Sequence, residues 1–72
     1  MNIQRIEIDD YNIDHLRRHG VTLQEVVNAF EHGRFFRNRN RRTANFFVLD
    51  DHVRVNFIYK NGTARPISAW RL

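Results

Sequence analysis

Cysteine is absent from this sequence of 72 residues, so the chain has neither a disulfide framework nor a thiolate metal site. No apolar run approaches the roughly 20 residues that a membrane-spanning helix needs. The start of the sequence also lacks the long apolar stretch of a secretory signal peptide. These absences predict a cytoplasmic protein without a membrane partner.

Lysine is almost absent too. Of the 12 cationic residues, Lys60 is a lysine and all the others are arginines. Against 8 acidic residues, these cations give a formal net charge of +4. Arginine presents a planar fork of donors that binds a phosphate through two hydrogen bonds, whereas lysine acts as a point charge. The composition therefore indicates a polyanionic partner.

The short length limits what the fold can enclose. A chain of this size forms one domain, which here spans residues 1–72, and it buries only about 60% of its unfolded surface. A deep, enclosed active site is therefore not expected. Any functional site should lie on an open surface.

The first half of the sequence predicts one short strand followed by two short helices. The β-branched content of residues 3–8 suggests the strand, and residues 11–19 have the apolar spacing of a helix. Thr22 and Glu25 have the spacing of a capping box, so a second helix begins there and ends at Gly33.

The second half predicts strands. Residues 35–36 can start one strand, residues 43–49 form a clearer one, and Asp50-Asp51 can turn the chain into a hairpin that opens at His52. The complete order is strand, helix, helix and three or four further strands. This order predicts an α+β fold in which two short helices pack on one face of an antiparallel sheet.

Asn61-Gly62 is the strongest local signal in the hairpin, because a two-residue type I′ turn needs positive φ at both positions. Lys60 should then face Thr63. Regular pairing outward from this turn sorts the side chains onto two faces. One face carries Val53, Val55, Phe57, Tyr59 and Trp70, and the other carries His52, Arg54, Lys60, Arg65 and Arg71.

The second of these faces is predicted to be basic and open to solvent. A mixed charged face would be merely solubilising, but every charge on this face is positive, which favours phosphate binding. Phe47 and Leu49 should lie beside it, where Phe47 suits base stacking. The alternative is that terminal segments or a second subunit, as in a homodimer, cover these apolar side chains.

A further basic segment lies between the helices and the hairpin. Five of the nine residues from 34 to 42 are arginine, interleaved with phenylalanine and asparagine. Arg39, Arg41 and Arg42 are therefore candidate RNA-binding residues, together with Lys60 and Phe47.

Two segments resemble the BrnT toxins of type II toxin–antitoxin pairs. The first runs from Asn12 to Phe30 and reads Asn-x-x-x-Leu-x-Arg-His-Gly-Val-Thr-x-x-Glu-x-x-x-x-Phe, and the second is Arg-Pro-Ile-Ser-Ala-Trp-Arg, ending at Arg71. The order and spacing of both segments agree with the family. The resemblance implies a RelE-like fold and a metal-independent endoribonuclease. It also implies RNA as substrate and a cognate antitoxin, acidic or DNA-binding, as partner.

The sequence departs from the family in three places. Trp70 stands where the family usually has an arginine, and no Asp or Glu occurs between Glu31 and Asp50, where the family tends to have an acidic residue. The sequence also ends at Leu72, where family members continue into a helix. The open face is therefore expected to be less covered.

RNA cleavage by the adjacent 2′-hydroxyl requires a phosphate clamp and two proton transfers. Arg54, Arg65 and Arg71 are the predicted clamp, with Lys60 at its edge. His52 is the predicted proton carrier, because imidazole accepts and donates protons near neutral pH.

Each of these roles has a structural alternative. His52 can instead pair with the acidic turn that precedes it. Arg54 and Arg65 can instead make cation–aromatic contacts or bind an antitoxin.

Other chemistry has little support in the sequence. His15 and His19 have helical i, i+4 spacing, but no third metal ligand is suggested, so neither a metal nor a cofactor is expected. Two other functions remain open. One is a non-catalytic nucleic-acid-binding or regulatory module, and the other is an interaction domain whose basic face receives an acidic protein.

Overall fold

The computed structural model describes residues 1–39 and 44–72. The candidate residues Arg41 and Arg42 lie outside the described residues, as does Thr43 in a predicted strand. In chain order the elements are β1 (Arg5–Ile6), α1 (Asp10–Arg18), α2 (Leu23–His32), β2 (Arg34–Arg37), β3 (Phe46–Leu49), β4 (Val53–Lys60) and β5 (Thr63–Arg71). The predicted order of elements is confirmed. No helix in the two described ranges is long and apolar enough to cross a membrane.

The strands form one sheet in the order β1-β5-β4-β3-β2. Strands β2 to β5 are antiparallel to their neighbours, but β1 pairs in parallel with β5. The α+β class is confirmed, whereas the expectation of a wholly antiparallel sheet is wrong. The reason is the connection: the two helices carry the chain from one sheet edge to the other, and three reversals then bring β5 back alongside β1 in the same direction.

Both helices pack on the same face of the sheet, where α1 contacts β5 and α2 contacts β3 and β4. Val48, Val55 and Phe57 are fully buried beneath them. The ring of Phe30 on α2 meets the ring of Phe57 edge-on, with centroids 4.9 Å apart. Each such burial contributes about 1.5–3 kcal/mol. This layer is the hydrophobic core.

The opposite side of the sheet is called the open face here. It is formed by the alternate side chains of the strands: Arg5, Glu7, Arg34, Phe36, Phe47, Leu49, Arg54, Asn56, Ile58, Lys60, Arg65, Ser68 and Trp70.

Helix α1 is fixed to the sheet by its first turn. Asp9 caps the helix, since its side chain accepts a hydrogen bond from the backbone N–H of Asn12 at 3.0 Å. Asn12 is buried, and its Nδ2 donates to the carbonyls of Glu7 at 2.9 Å and Pro66 at 3.2 Å. Asn12 thus links α1 to β5.

The predicted turns are confirmed. Asn61 and Gly62 have φ of 51° and 80°, as a type I′ turn requires. In the turn before β4, the Asp50 side chain accepts hydrogen bonds from the backbone N–H groups of His52 at 2.7 Å and Val53 at 2.8 Å. Both turns hold β4 in place between its neighbours.

Candidate nucleic-acid interface

A β-bulge between β4 and β5 decides which side chains reach the open face. Phe57 pairs with Pro66 as predicted, but Asn56 pairs with Ser68, so Ile67 is an extra residue in β5. Pro66 has no N–H to donate, and proline within a sheet is commonly found at a bulge. Because side chains alternate along a strand, the extra residue reverses the faces of all later residues in β5.

Trp70 and Arg71 are the residues that this reversal exchanges. Arg54 pairs with Trp70, and Val53 pairs with Arg71. Trp70 is 38% exposed on the open face, while Ala69 is fully buried in its place. The prediction that put Trp70 in the core and Arg71 on the basic face is therefore wrong.

Four side chains from four neighbouring strands form a continuous stack on the open face. The rings of Phe36 and Phe47 are nearly parallel, at 16°, with centroids 5.0 Å apart. The Cζ atom of Arg54 lies 3.8 Å from the Phe47 centroid and 5.3 Å from the Trp70 ring. We call Phe36, Phe47, Arg54 and Trp70 the aromatic–arginine row.

The guanidinium in this row is oriented by neighbouring polar side chains. Arg54 Nε donates to Asn56 Oδ1 at 3.1 Å, and Asn56 Nδ2 donates to Ser68 Oγ at 3.1 Å. Within the described part of the chain, no carboxylate forms an ion pair with Arg54. Among residues 1–39 and 44–72, no acidic group therefore competes with a ligand for its terminal nitrogens.

Arg65 lies on the open face but already has two acidic partners. Its Nη1 donates to Asp9 Oδ2 at 2.8 Å and to Glu7 Oε1 at 2.9 Å. These hydrogen bonds raise the pKa of Arg65, and the bond from Arg65 lowers the pKa of Asp9. Glu7 follows β1 onto this face, so the expectation that every charge here is positive is wrong.

Arg71 lies on the helix side of the sheet. Its Nη2 donates to the carbonyl of Gly20 at 2.8 Å and to Glu25 Oε1 at 2.8 Å. Glu25 also accepts the backbone N–H of Thr22 at 2.9 Å, and this bond is the main cause of its lowered pKa. Arg71 thus ties the end of β5 to the start of α2.

The predicted clamp of three arginines is consequently not assembled on one surface. Arg71 is on the other side of the sheet. Arg65 lies opposite Ile58, four residues along β4 from Arg54, which is about 13 Å at strand spacing. Only Arg54 stands within the aromatic–arginine row.

The remaining RNA-binding candidates lie at different places. Phe47 lies within the row between Phe36 and Arg54, and its position beside Arg54 agrees with the predicted one. Lys60 is exposed at the turn end of β4, six residues and about 20 Å from Arg54. Arg39 is exposed just beyond the end of β2.

His52 lies in a cleft beside the row rather than within it. The cleft has a volume of about 680 Å³ and lies between the end of α2 and the turn that follows β3. Its lining residues are Asn28, His32, Arg34, Phe36, Leu49, Asp50, Asp51 and His52. We call this the histidine cleft.

Asp50 is one of the two carboxylates that line the histidine cleft. Burial acts to raise its pKa, but the hydrogen bonds from the backbone N–H groups of His52 and Val53 outweigh burial and leave that pKa below its ordinary value. The alternative interpretation, in which His52 belongs to an acidic turn, therefore describes its backbone correctly. No hydrogen bond from its imidazole is seen within the described residues.

Three residues of these two surfaces were missed by sequence reasoning. Trp70 was placed in the core, although Pro66 inside a strand was a signal that a bulge could reverse it. Phe36 was assigned only to a strand, and the face it shares with Arg34, two residues earlier, could have marked it as outward-facing. His32 carries no sequence signal, because only the folding of α2 against the β3–β4 turn brings it to His52.

No cluster of three or more metal-ligating side chains occurs within residues 1–39 and 44–72. Comparison of the chain with known protein families, with characterised proteins and with solved structures finds no match.

Proposed function

We propose that this protein is a RelE-like toxin of the BrnT type that binds single-stranded RNA on its open face and cleaves it without a metal ion. Two features support the proposal. The order β-α-α-β-β-β-β is the one that the resemblance to BrnT toxins implies. The aromatic–arginine row supplies the kind of surface on which unpaired bases stack.

The row carries the RNA-binding part of the proposal. Its outer members Phe36 and Trp70 are 41% and 38% exposed, and the planar guanidinium of Arg54 lies between Phe47 and Trp70. Bases of single-stranded RNA stack on aromatic rings and on guanidinium planes. Each base–aromatic stack contributes about 1–3 kcal/mol, with little dependence on sequence.

Three cations that have no acidic partner among the described residues lie on the same face of the sheet as the row. Arg34, Arg54 and Lys60 all lie on the open face, and none of them forms an ion pair with a carboxylate of the described residues. They can neutralise phosphates as the RNA strand crosses the sheet. Binding should therefore weaken as salt concentration rises, since counterion release drives such contacts.

The proposal includes a cytoplasmic site of action and a cognate antitoxin as the protein partner. On the open face, Trp70 is exposed beside Arg54, and Ile58 is exposed four residues farther along β4, about 13 Å from Arg54. An antitoxin with apolar and acidic side chains would match this surface and block access of RNA to the row.

A second candidate is a non-catalytic RNA-binding module that uses the same row. The specific observation in its favour is the pairing of Arg65 with Glu7 and Asp9, together with that of Arg71 with Glu25. Two of the three predicted clamp residues are thereby engaged in holding the fold. Such a module would bind RNA as proposed but leave it intact.

Incubation with end-labelled single-stranded RNA in EDTA, with bound and cleaved fractions measured in the same samples, tests the proposal. We expect binding and cleavage by the wild type, and loss of both in the variant Arg54→Ala/Trp70→Ala. Tyr11→Ala is the matched control, because Tyr11 is an exposed aromatic residue on α1. Binding without cleavage would favour the second candidate, and neither binding nor cleavage would reject both.

A further inference from the structure

The histidine cleft opens directly beside the aromatic–arginine row. Phe36 belongs to both, since its ring stacks on Phe47 and its side chain lines the cleft. A strand of RNA stacked on the row would therefore have its next phosphate near the cleft. A volume of about 680 Å³ lies within the range of about 300–1,000 Å³ that is usual for ligand clefts.

We propose that His32 and His52 are the pair of proton carriers that cleave RNA in this cleft. This inference rests on the proposed endoribonuclease function and assigns its chemistry to residues outside the predicted arginine clamp. It adds His32 as a catalytic residue.

The two histidines line the cleft from different elements of the fold. His32 is the last residue of α2, and His52 is the residue before β4. Both are exposed, and both lie close enough to Asp50 to stabilise its negative charge. Asp50 is itself held by the backbone N–H groups of His52 and Val53. Asp50, His32 and His52 therefore line the same cleft, with Asp50 fixed in place by the turn.

Other charged groups also face the pair. Asp51 and Arg34 line the cleft, Glu31 Oε2 lies 3.7 Å from His32 Nε2, and Glu25 lies near enough to His52 to interact with its charge. Arg34 is the cation of this group. Its guanidinium can bind the phosphate and offset the acidic residues around it.

The reaction needs nothing beyond RNA and these side chains. One neutral imidazole accepts the proton of the 2′-hydroxyl as the 2′-oxygen forms a bond to phosphorus. The bond from phosphorus to the 5′-oxygen breaks, and the second, protonated imidazole donates its proton to that oxygen. The products are a 2′,3′-cyclic phosphate and a 5′-hydroxyl, and water then restores the proton distribution.

The test compares His32→Gln and His52→Gln with His19→Gln on end-labelled single-stranded RNA in EDTA. His19 is an exposed histidine at the end of α1, outside the cleft. We expect each cleft variant to lose about 10²–10⁴-fold in cleavage rate. RNA affinity and thermal unfolding should be unchanged, and His19→Gln should cleave as the wild type does.

The pH dependence adds a readout that a structural role would not move. The wild-type rate should follow a bell-shaped curve, and each cleft variant should lose one limb of it. Cleft variants that cleave as fast as His19→Gln would overturn this inference while leaving the proposed function standing. Wild-type protein that binds RNA without cleaving it would overturn the inference and the endoribonuclease proposal together.

Discussion

The guanidinium of Arg54 lies over the ring of Phe47, with 3.8 Å between Cζ and the ring centroid. This contact joins β4 to β3 on the open face and places a positive charge within a stacking surface. Asn56 accepts the hydrogen bond from Arg54 Nε, so the plane of the guanidinium is set by the sheet itself. The charge and the stacking surface of the site therefore depend on one side chain.

Replacing Arg54 with lysine separates these two properties. Arg54→Lys keeps the charge but loses the planar group, so RNA affinity should fall by about tenfold, as expected from the loss of a cation–aromatic and stacking contribution. The slope of affinity against salt should stay the same, because the number of cations is unchanged. Fluorescence anisotropy at several salt concentrations measures both, with Arg18→Lys on α1 as the control. If Arg54→Lys binds RNA with the affinity of the wild type, RNA does not stack on the guanidinium plane of Arg54.

The bulge at Ile67 can be tested by disulfide formation, because the chain has no cysteine of its own. In the bulged register Asn56 faces Ser68, whereas a regular hairpin would place Asn56 opposite Ile67. The double variant Asn56→Cys/Ser68→Cys should therefore oxidise readily, since opposed residues have the Cβ separation that a disulfide needs. Asn56→Cys/Ile67→Cys should stay reduced. Mass spectrometry after mild oxidation shows which double variant forms a disulfide. A disulfide in Asn56→Cys/Ile67→Cys and none in Asn56→Cys/Ser68→Cys would support the regular register instead.

Gly33 should be sensitive to even the smallest side chain. An added Cβ would lie 2.5 Å from the carbonyl oxygen of Ala29 and 2.6 Å from that of Leu49. Its φ of −81° suits any residue, so the cost of Gly33→Ala arises from packing and should be about 1–3 kcal/mol.

Urea unfolding measures this cost, and Gly20→Asn is the control. Gly20 has open space around it, and asparagine tolerates its φ of +72°. Equal stability of Gly33→Ala and wild type would contradict the close approach of α2 to β3 that places His32 at the cleft.

Stability should fall in acid because several carboxyl groups have lowered pKa values in the folded protein. Hydrogen bonds hold the pKa values of Asp9, Glu25 and Asp50 below their ordinary values. A lowered pKa stabilises the fold above the unfolded values of about 3.9 for Asp and 4.3 for Glu, and this stabilisation is lost as pH falls through the folded values. The urea midpoint of the wild type should therefore decrease between neutral pH and pH values of about 3.

Arg65→Gln isolates the share of Asp9 in this effect. The largest cause of the lowered pKa of Asp9 is its hydrogen bond from Arg65, so the variant should lose less stability than the wild type on acidification. Arg17→Gln, an exposed change on α1, should follow the wild type. If Arg65→Gln loses as much stability in acid as the wild type does, the ion pair between Arg65 and Asp9 does not contribute to that loss.

The sequence predicts local structure well because the relevant signals are local. Thr22 and Glu25 form the predicted capping box, with Thr22 Oγ1 accepting the Glu25 N–H at 3.1 Å. Asn61-Gly62 determines the turn, and pairing follows correctly from it as far as Phe57 and Pro66. These features depend on neighbours in the chain and on alternation along a strand.

The rest depends on a bulge that only Pro66 marks in the sequence and on contacts between residues far apart in the chain. One extra residue at Ile67 moved Trp70 from the predicted core to the open face. The partners of Arg65 arrive with the parallel strand β1, whose pairing with β5 joins residues about 58 positions apart. His32 and His52 likewise share a cleft only after α2 packs on the sheet. Faces and neighbours at such distances are set by tertiary structure.

Trp70 allows the most direct test of RNA binding at the aromatic–arginine row, because it is the only tryptophan in the chain. Its emission should be measured during titration with a short unpaired RNA, beside a duplex of the same sequence, whose bases are already stacked on one another. Saturable quenching by the single strand alone, with the same affinity as anisotropy gives, is the predicted result. Binding detected by anisotropy with no change in Trp70 emission would contradict the account, because the RNA would then lie elsewhere on the protein.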